Sequence, residues 1–151
     1  MRTLSKAFAL TGLRIGYAVA QRATIEQLER VRPPGSLNTL SAKAGARALR
    51  QPQIAAANAA ALAQEREWLA ARLTAAGLPP LASVTNFLLC RVGTPSAADA
   101  LNEALLRGGI VVRTFDPDSP LAGHLRFTVR NREQDERFIQ VIEAWSAGRS
   151  A

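Results

Sequence analysis

Apolar and polar positions along the chain change period three times, and each change marks a different kind of element. Residues 2–20 carry short apolar runs broken by Gly12 and Gly16, the pattern of strands at 2–4 and 14–19 joined by a turn. A helix follows, with Thr24 as its cap and Glu26, Gln27, Leu28 and Val31 along it, until Pro33 and Pro34 end it. The stretch from Arg32 to Ser36 reads as extended, because a residue that precedes proline is kept out of the helical region. It is the natural candidate for a domain boundary. Over 40–76 Ala, Leu, Gln, Glu and Arg dominate, and Pro52 separates a shorter helix from a longer one. In the longer helix Ile54, Ala57, Ala61, Leu62, Trp68, Leu69 and Leu73 recur at roughly three-and-four spacing, and Gly77 stops it.

Beyond Pro79 and Pro80 the pattern alternates between strand and helix. Strands are expected at 84–92, 110–113 and 124–130, with helices that start at Thr94-Pro95 and after Asn131. In the last strand Leu125, Phe127 and Val129 share one face, which leaves Arg126, Thr128 and Arg130 on the other. Asn131 with Gln134 three positions on forms a capping-box pattern before Phe138, Ile139, Ile142 and Trp145. The expected fold class is α/β.

Composition narrows the function classes. A chain of 151 residues with 48% hydrophobic side chains has room for one modest core. Its apolar stretches are broken by Gln, Glu and Arg short of the roughly 20 residues that span a bilayer, and Arg14 interrupts the one N-terminal run that could act as a leader. The expectation is a soluble, cytoplasmic protein with no membrane partner. Cys90 is the only cysteine and lies in an apolar run, so it reads as a small buried hydrophobe, and nothing points to a metal. The net charge of +7 would suit nucleic acid, but the 17 arginines are scattered from Arg2 to Arg149 without a run of like charges. A nucleic-acid partner is therefore not expected.

The chemistry concentrates near the N-terminus. Lys6 is preceded by the hydroxyl residues Thr3 and Ser5 and followed eight positions later by Arg14. An amine can join an aldehyde as a Schiff base, and hydroxyls with a permanently charged guanidinium fork suit a phosphate dianion. Gly12 and Gly16 would let backbone approach closely. Thr-Leu-Ser-Lys-Ala-Phe at 3–8 and Gly-Leu-Arg-Ile-Gly-Tyr at 12–17 resemble, nearly residue for residue, the cofactor-lysine motif of pyridoxal-phosphate-dependent aminotransferases of classes I and II, most of all the histidinol-phosphate aminotransferase branch. The resemblance extends through Val-Arg-Pro-Pro-Gly-Ser-Leu-Asn at 31–38, Ser-Val-Thr-Asn-Phe-Leu-Leu at 83–89, Gly-Ile-Val-Val-Arg at 109–113 and Gly-His-Leu-Arg-Phe-Thr-Val at 123–129.

That resemblance implies the C-terminal part of a fold type I transferase: 1–32 a remnant of the large cofactor-binding domain, 33–78 linker and interdomain helices, and 79–151 a small α/β domain. It implies pyridoxal 5'-phosphate as cofactor, with Lys6 holding it and moving the proton at the substrate carbon. Thr3, Ser5 and Arg14 would hold the cofactor phosphate and Arg126 the substrate carboxylate or phosphate-side anion. It further implies amino-group exchange between a phosphorylated amino alcohol and 2-oxoglutarate, in a homodimer or together with an N-terminal half. A decarboxylase of the same fold and an aromatic aminotransferase share the lysine motif, and an inert small-domain interaction module is a reading of another class. His124, Arg113 and Asn86 have ordinary structural roles open to them and stand outside this set. The family's acidic partner for the pyridine nitrogen, its stacking aromatic ring and its second phosphate loop lie upstream of the lysine, whereas five residues precede Lys6 here. A truncated or split enzyme is expected, with the strands around Lys6 left at a sheet edge and poor solubility in isolation. Arg130-Asn131 stands where the family more often has glycine and a small hydroxyl residue.

Overall fold

The computed structural model describes residues 1–148; the last three residues of the 79–151 segment, Arg149 among them, lie outside it. The chain forms two compact units, Met1–Ala60 and Ala61–Ala151. In the first, β1 (Arg2–Thr3) pairs antiparallel with β2 (Gly16–Tyr17), Arg2 opposite Tyr17 and Thr3 opposite Gly16. Both strands are shorter than the apolar runs that announce them. The chain between them is taken up by a turn and a 3-10 segment at Thr11–Leu13. Gly16 is required by space, because a Cβ there would stand 2.7 Å from the carbonyl oxygen of Arg2.

Three helices follow: α1 (Arg22–Val31), α2 (Thr39–Leu49) and α3 (Pro52–Ala75), the last continuing into the second unit. α1 starts two residues before the expected Thr24 cap; Gln21 stands at the cap with no side-chain bond, and Arg22 pairs with Glu26 one turn on at 2.8 Å. Pro33 ends it as expected, since Arg32 is already extended. Asn38 caps α2 by accepting from the Ser41 amide at 2.8 Å, and Pro52 opens α3, where its missing N–H costs nothing. α3 closes on Gly77 at φ +81: the Gly77 and Leu78 amides donate to the Thr74 and Leu73 carbonyls, with Leu73 and Leu78 both buried.

The second unit holds the apolar core. β3 (Phe87–Arg91) and β4 (His124–Thr128) run antiparallel, with Leu88 opposite Phe127 and Cys90 opposite Leu125. Those four side chains are buried together with Leu69 and Leu73 of α3, Leu101 and Leu105 of α4 (Pro95–Arg107), and Phe138, Ile139 and Ile142 of α5 (Arg132–Ala147). Phe127 and Phe138 meet at 4.7 Å between ring centroids. The expected caps form: Thr94 accepts from the Ala97 amide and Asn131 from the Gln134 amide. Cys90 is buried, donates to the Leu78 carbonyl, and has its thiol pushed up to about 12 by desolvation, which fits a small hydrophobe.

All three strands expected in this unit shrink, the 124–130 strand only to His124–Thr128. The 84–92 strand begins only at Phe87, because the Ser83 and Thr85 hydroxyls fold back onto the Phe87 carbonyl. The 110–113 strand reduces to a single bridge, Arg113 to Arg126. Its first residue is used elsewhere, since Gly109 (φ +74) and Ile110 close the end of α4 on the Leu106 and Leu105 carbonyls. Among the described residues no helix is long and apolar enough to cross a membrane.

Ion pairs contribute little to this unit. Arg72–Glu143 and Arg132–Glu65 join α3 to α5 at 2.6 and 2.9 Å, yet partly exposed pairs are worth at most about 1 kcal/mol each, against about 2–5 kcal/mol for a core leucine cut to alanine. The buried Asp135 is different. It accepts from the Arg130 amide at 3.1 Å, and burial pushes its carboxyl from 3.8 up to about 6 despite that bond.

Two outcomes are expected. Gly123 has φ +78 and a Cβ there would run into the Gly93 carbonyl oxygen, so Gly123→Ala lowers the urea midpoint by the equivalent of roughly 1–3 kcal/mol or more. Asp135 binds its proton more tightly folded than unfolded, so its contribution to stability is full below pH 3.8 and is lost as pH rises through about 6. Urea midpoints measured over that range fall in the parent chain, and Asp135→Asn removes that component of the fall.

Candidate active site

The hairpin between β1 and β2 carries four of the five site residues expected from the sequence. Thr3 and Ser5 are joined by their side chains: the Ser5 amide donates to Thr3 Oγ1 at 3.1 Å, and Thr3 Oγ1 donates to Ser5 Oγ at 2.9 Å. The Ser5 hydroxyl proton is left to donate elsewhere. Arg14 comes back beside them because the 3-10 segment ends on it in the left-handed region, φ 49 and ψ 50, with Nη1 on the Thr11 carbonyl at 3.2 Å. Thr3, Ser5 and Arg14 together line an open concavity of about 580 Å³ whose other walls include Arg2, Gly16 and Tyr17.

Lys6 follows Ser5 in the turn but is exposed and is not part of that wall. Its carbonyl accepts from the Ala9 amide at 3.0 Å, and Ala9 is the second non-glycine residue with positive φ, at 56. Of the two glycines expected to allow close approach, only Gly16 does so; a Cβ at Gly12 would meet nothing within 4 Å.

The loop is held from outside by residues that the motif did not include. Ser41, buried in α2, donates its hydroxyl to the Leu13 carbonyl at 2.9 Å, and Asn58 of α3 donates to the Ala7 carbonyl at 2.8 Å. These partners lie 28 and 51 positions away along the chain. The signal for them was faint: two polar side chains within alanine-rich helices, where their preference for backbone partners earns them no place.

Charge is divided unequally between the units. Residues 1–60 hold nine Lys and Arg against two acidic residues, Glu26 and Glu29, whereas the rest of the chain holds ten of each sign. The arginines are scattered, as the sequence suggests, but the carboxylates are not. The whole excess of +7 therefore falls in the unit that carries the Lys6 hairpin, which suits an anionic ligand. The free Ser5 hydroxyl proton, the Arg14 fork and this excess form a donor set that fits a phosphate-bearing aldehyde, with an amine on the adjoining residue.

The fifth candidate, Arg126, belongs to the second unit. It is half-buried on the face of β4 opposite Leu125 and Phe127, as alternation requires. Its guanidinium carbon lies 4.9 Å from the Phe87 ring centroid, and its Nε is buried with no hydrogen-bond partner among the described residues. Arg113 stands directly across the bridge on the neighbouring segment. Like charges opposite one another on a sheet cost stability, so the pair is suited to an anion placed between or above them. His124 Nδ1 approaches the Ala122 carbonyl at 3.3 Å, and the Asn86 carbonyl accepts from the Val129 amide at 3.0 Å, both ordinary structural contacts.

A lysine hairpin with a hydroxyl-and-arginine concavity, and an α/β unit carrying a stacked arginine on its sheet, define the C-terminal part of a fold type I pyridoxal-phosphate-dependent transferase. The chain belongs to the aminotransferase class I and II family, whose model matches residues 1–142. It is 39% identical over 143 residues to the histidinol-phosphate aminotransferase of Nitratidesulfovibrio vulgaris, covering 95% of this chain and 38% of that relative. Among solved structures it is similar to the histidinol-phosphate aminotransferase of Sinorhizobium meliloti in complex with pyridoxal-5'-phosphate, with a TM-score of 0.87, 25% identity, and coverage of 97% of this chain and 40% of that one. The L-threonine-O-3-phosphate decarboxylase of Porphyromonas gingivalis shares the fold at a TM-score of 0.73 and 24% identity, over 94% of this chain and 44% of that one. The chain spans about two fifths of the length of the curated relatives it matches.

Stacking under the Arg126 guanidinium is directly observable. The Phe87 ring current should displace the Arg126 Nε–H resonance. Phe87→Leu should abolish that displacement and lower stability by about 0.5–2 kcal/mol, while Phe87→Tyr keeps both.

Proposed function

We propose that this chain is the C-terminal part of a pyridoxal-phosphate-dependent aminotransferase that moves an amino group from a phosphorylated amino alcohol of the histidinol phosphate kind to 2-oxoglutarate. The observation that carries this reading is the hairpin that gathers Thr3, Ser5 and Arg14 around one concavity with Lys6 as the adjoining residue. When bound, the cofactor supplies an electron sink at the substrate carbon. Lys6 holds the cofactor through its amine and moves the proton at that carbon. Thr3, Ser5 and Arg14 would hold the phosphate together: Ser5 by its hydroxyl donor and Arg14 by its charged fork, with Thr3 orienting the Ser5 hydroxyl by donating to it. Arg126, kept flat by Phe87 and with Arg113 opposite, grips the carboxylate or phosphate-side anion of the substrate.

The choice of a histidinol phosphate-like donor rests on the curated relatives; the decarboxylase of the same fold is the nearest alternative. The division into a large-domain remnant at 1–32, interdomain segments at 33–78 and a small domain from 79 belongs to this proposal. So do a cytoplasmic setting, and a second copy or an N-terminal half as the partner that completes the site.

Mixing the chain with pyridoxal phosphate and reducing with borohydride tests the reading. The expected outcome is a new absorbance band and a trapped adduct on Lys6, both missing from Lys6→Ala. Equal labelling of the parent and the variant would instead favour an inert interaction module.

A further inference from the structure

The Lys6–Arg14 loop is strained along its own length. Ala9 and Arg14 both sit in the left-handed region, φ 56 and 49, where a side chain with a Cβ costs about 1–2 kcal/mol. Local bonds alone do not account for its hold. Ala9 to Lys6, Leu13 to Leu10 and Arg14 to Thr11 are short-range turn contacts, and Thr11 Oγ1 donates to the Ser5 carbonyl at 2.7 Å. Such contacts can form in many arrangements of a free loop. A conformation with two strained residues persists only where the surroundings over-determine it.

Two helices supply that outside constraint, at points that bracket the functional side chains. Asn58 holds the peptide carbonyl of Ala7, immediately after Lys6; Ser41 holds that of Leu13, immediately before Arg14. Ser41 is 1% exposed and its bond to the Leu13 carbonyl is part-buried, and in α2 it lies one turn before Gly45. Gly45 is itself buried, and a Cβ there would collide with the Ile15 side chain, so α2 also lies close against the residue after Arg14. The helix side thus touches the loop at 7, 13 and 15, while Lys6 and Arg14 themselves are exposed.

We propose that Ser41 and Asn58 are positioning residues, which clamp the 7–13 loop so that the Lys6 amine and the Arg14 fork are presented together. The role rests on Lys6 being the cofactor lysine, and the experiment separates the two claims. Asn58 is exposed, so Asn58→Asp removes the donor without opening a cavity; Ser41→Ala is the second variant. Amide hydrogen exchange is measured on the full chain, and labelling with pyridoxal phosphate and borohydride is read as the ratio of adduct on Lys6 to adduct on Lys43, the only other lysine and also exposed.

The expected result is about five-fold faster exchange at Ala9, Leu10, Leu13 and Arg14 in each variant, with Ile139 and Ile142 unchanged. The Lys6-to-Lys43 ratio falls by a similar factor, and Asn58→Gln, which keeps the amide donor, recovers part of it. Unchanged exchange in both variants overturns the clamp. Faster exchange with an unchanged ratio overturns the positioning role. A parent chain that labels Lys6 and Lys43 equally sinks the reading of Lys6 and the positioning role with it, while exchange still decides whether the clamp exists.

Discussion

The register of β3 against β4 is the constraint on which the second unit depends. With Leu88 facing Phe127 and Cys90 facing Leu125, these four side chains point into the core, while Phe87, Leu89 and Arg126 lie on the opposite face, with Arg126 beside the Phe87 ring. A slip of one residue would carry the guanidinium into an apolar interior and leave Phe127 in water, a reversal that burial of this size forbids. Arg126, the arginine proposed to grip the substrate anion, is therefore located by the same packing that folds the unit. Gly123 and Gly93 hold the register at one end, where the Val92 and Gly93 amides share the Gly123 carbonyl, and the buried Asp135 holds the other through the Arg130 amide.

The first unit is built on another principle. Leu4 is its one buried large hydrophobic side chain, and Val19, Val31 and Leu40 are 85%, 77% and 71% exposed. Apolar burial cannot order such a unit by itself. The Lys6 hairpin is kept in shape by directional bonds: the Thr3–Ser5 hydroxyl chain, the Ser41 and Asn58 tethers, and a ribbon of two residue pairs made possible by Gly16. Polar tethers specify geometry well but stabilise modestly, about 0.5–1.5 kcal/mol each. The concentration of the whole +7 excess in this unit adds repulsion that an anionic ligand would relieve.

Much was legible from one-dimensional pattern alone. Proline and glycine placed the helix limits at Pro33, Pro52, Gly77 and Gly109 because their backbone constraints are local, and Asn131 and Thr94 announced their caps for the same reason. Two-residue alternation put Leu125 and Phe127 inward and Arg126 outward. The spacing of Thr3, Ser5, Lys6 and Arg14, with the wider resemblance of the motif, named the family and the candidate residues. The extent of the strands was not legible. Apolar runs at 14–19, 84–92 and 110–113 report a preference for extended chain, but hydrogen bonds to the Ser83 and Thr85 hydroxyls and the closing turn of α4 took up backbone groups that a ladder would have needed.

What the sequence by itself determined, then, is whatever depends on neighbours within a few positions: helix limits, caps, face alternation and the order of groups in the lysine motif. Only the tertiary structure decided that Ser41 and Asn58 reach the hairpin from 28 and 51 positions away, that Arg113 lies opposite Arg126, and that Phe87 lies beneath its guanidinium. The strain at Ala9 and Arg14 was hidden for the same reason. Neither residue type asks for a left-handed backbone, so nothing in the local sequence announces that conformation.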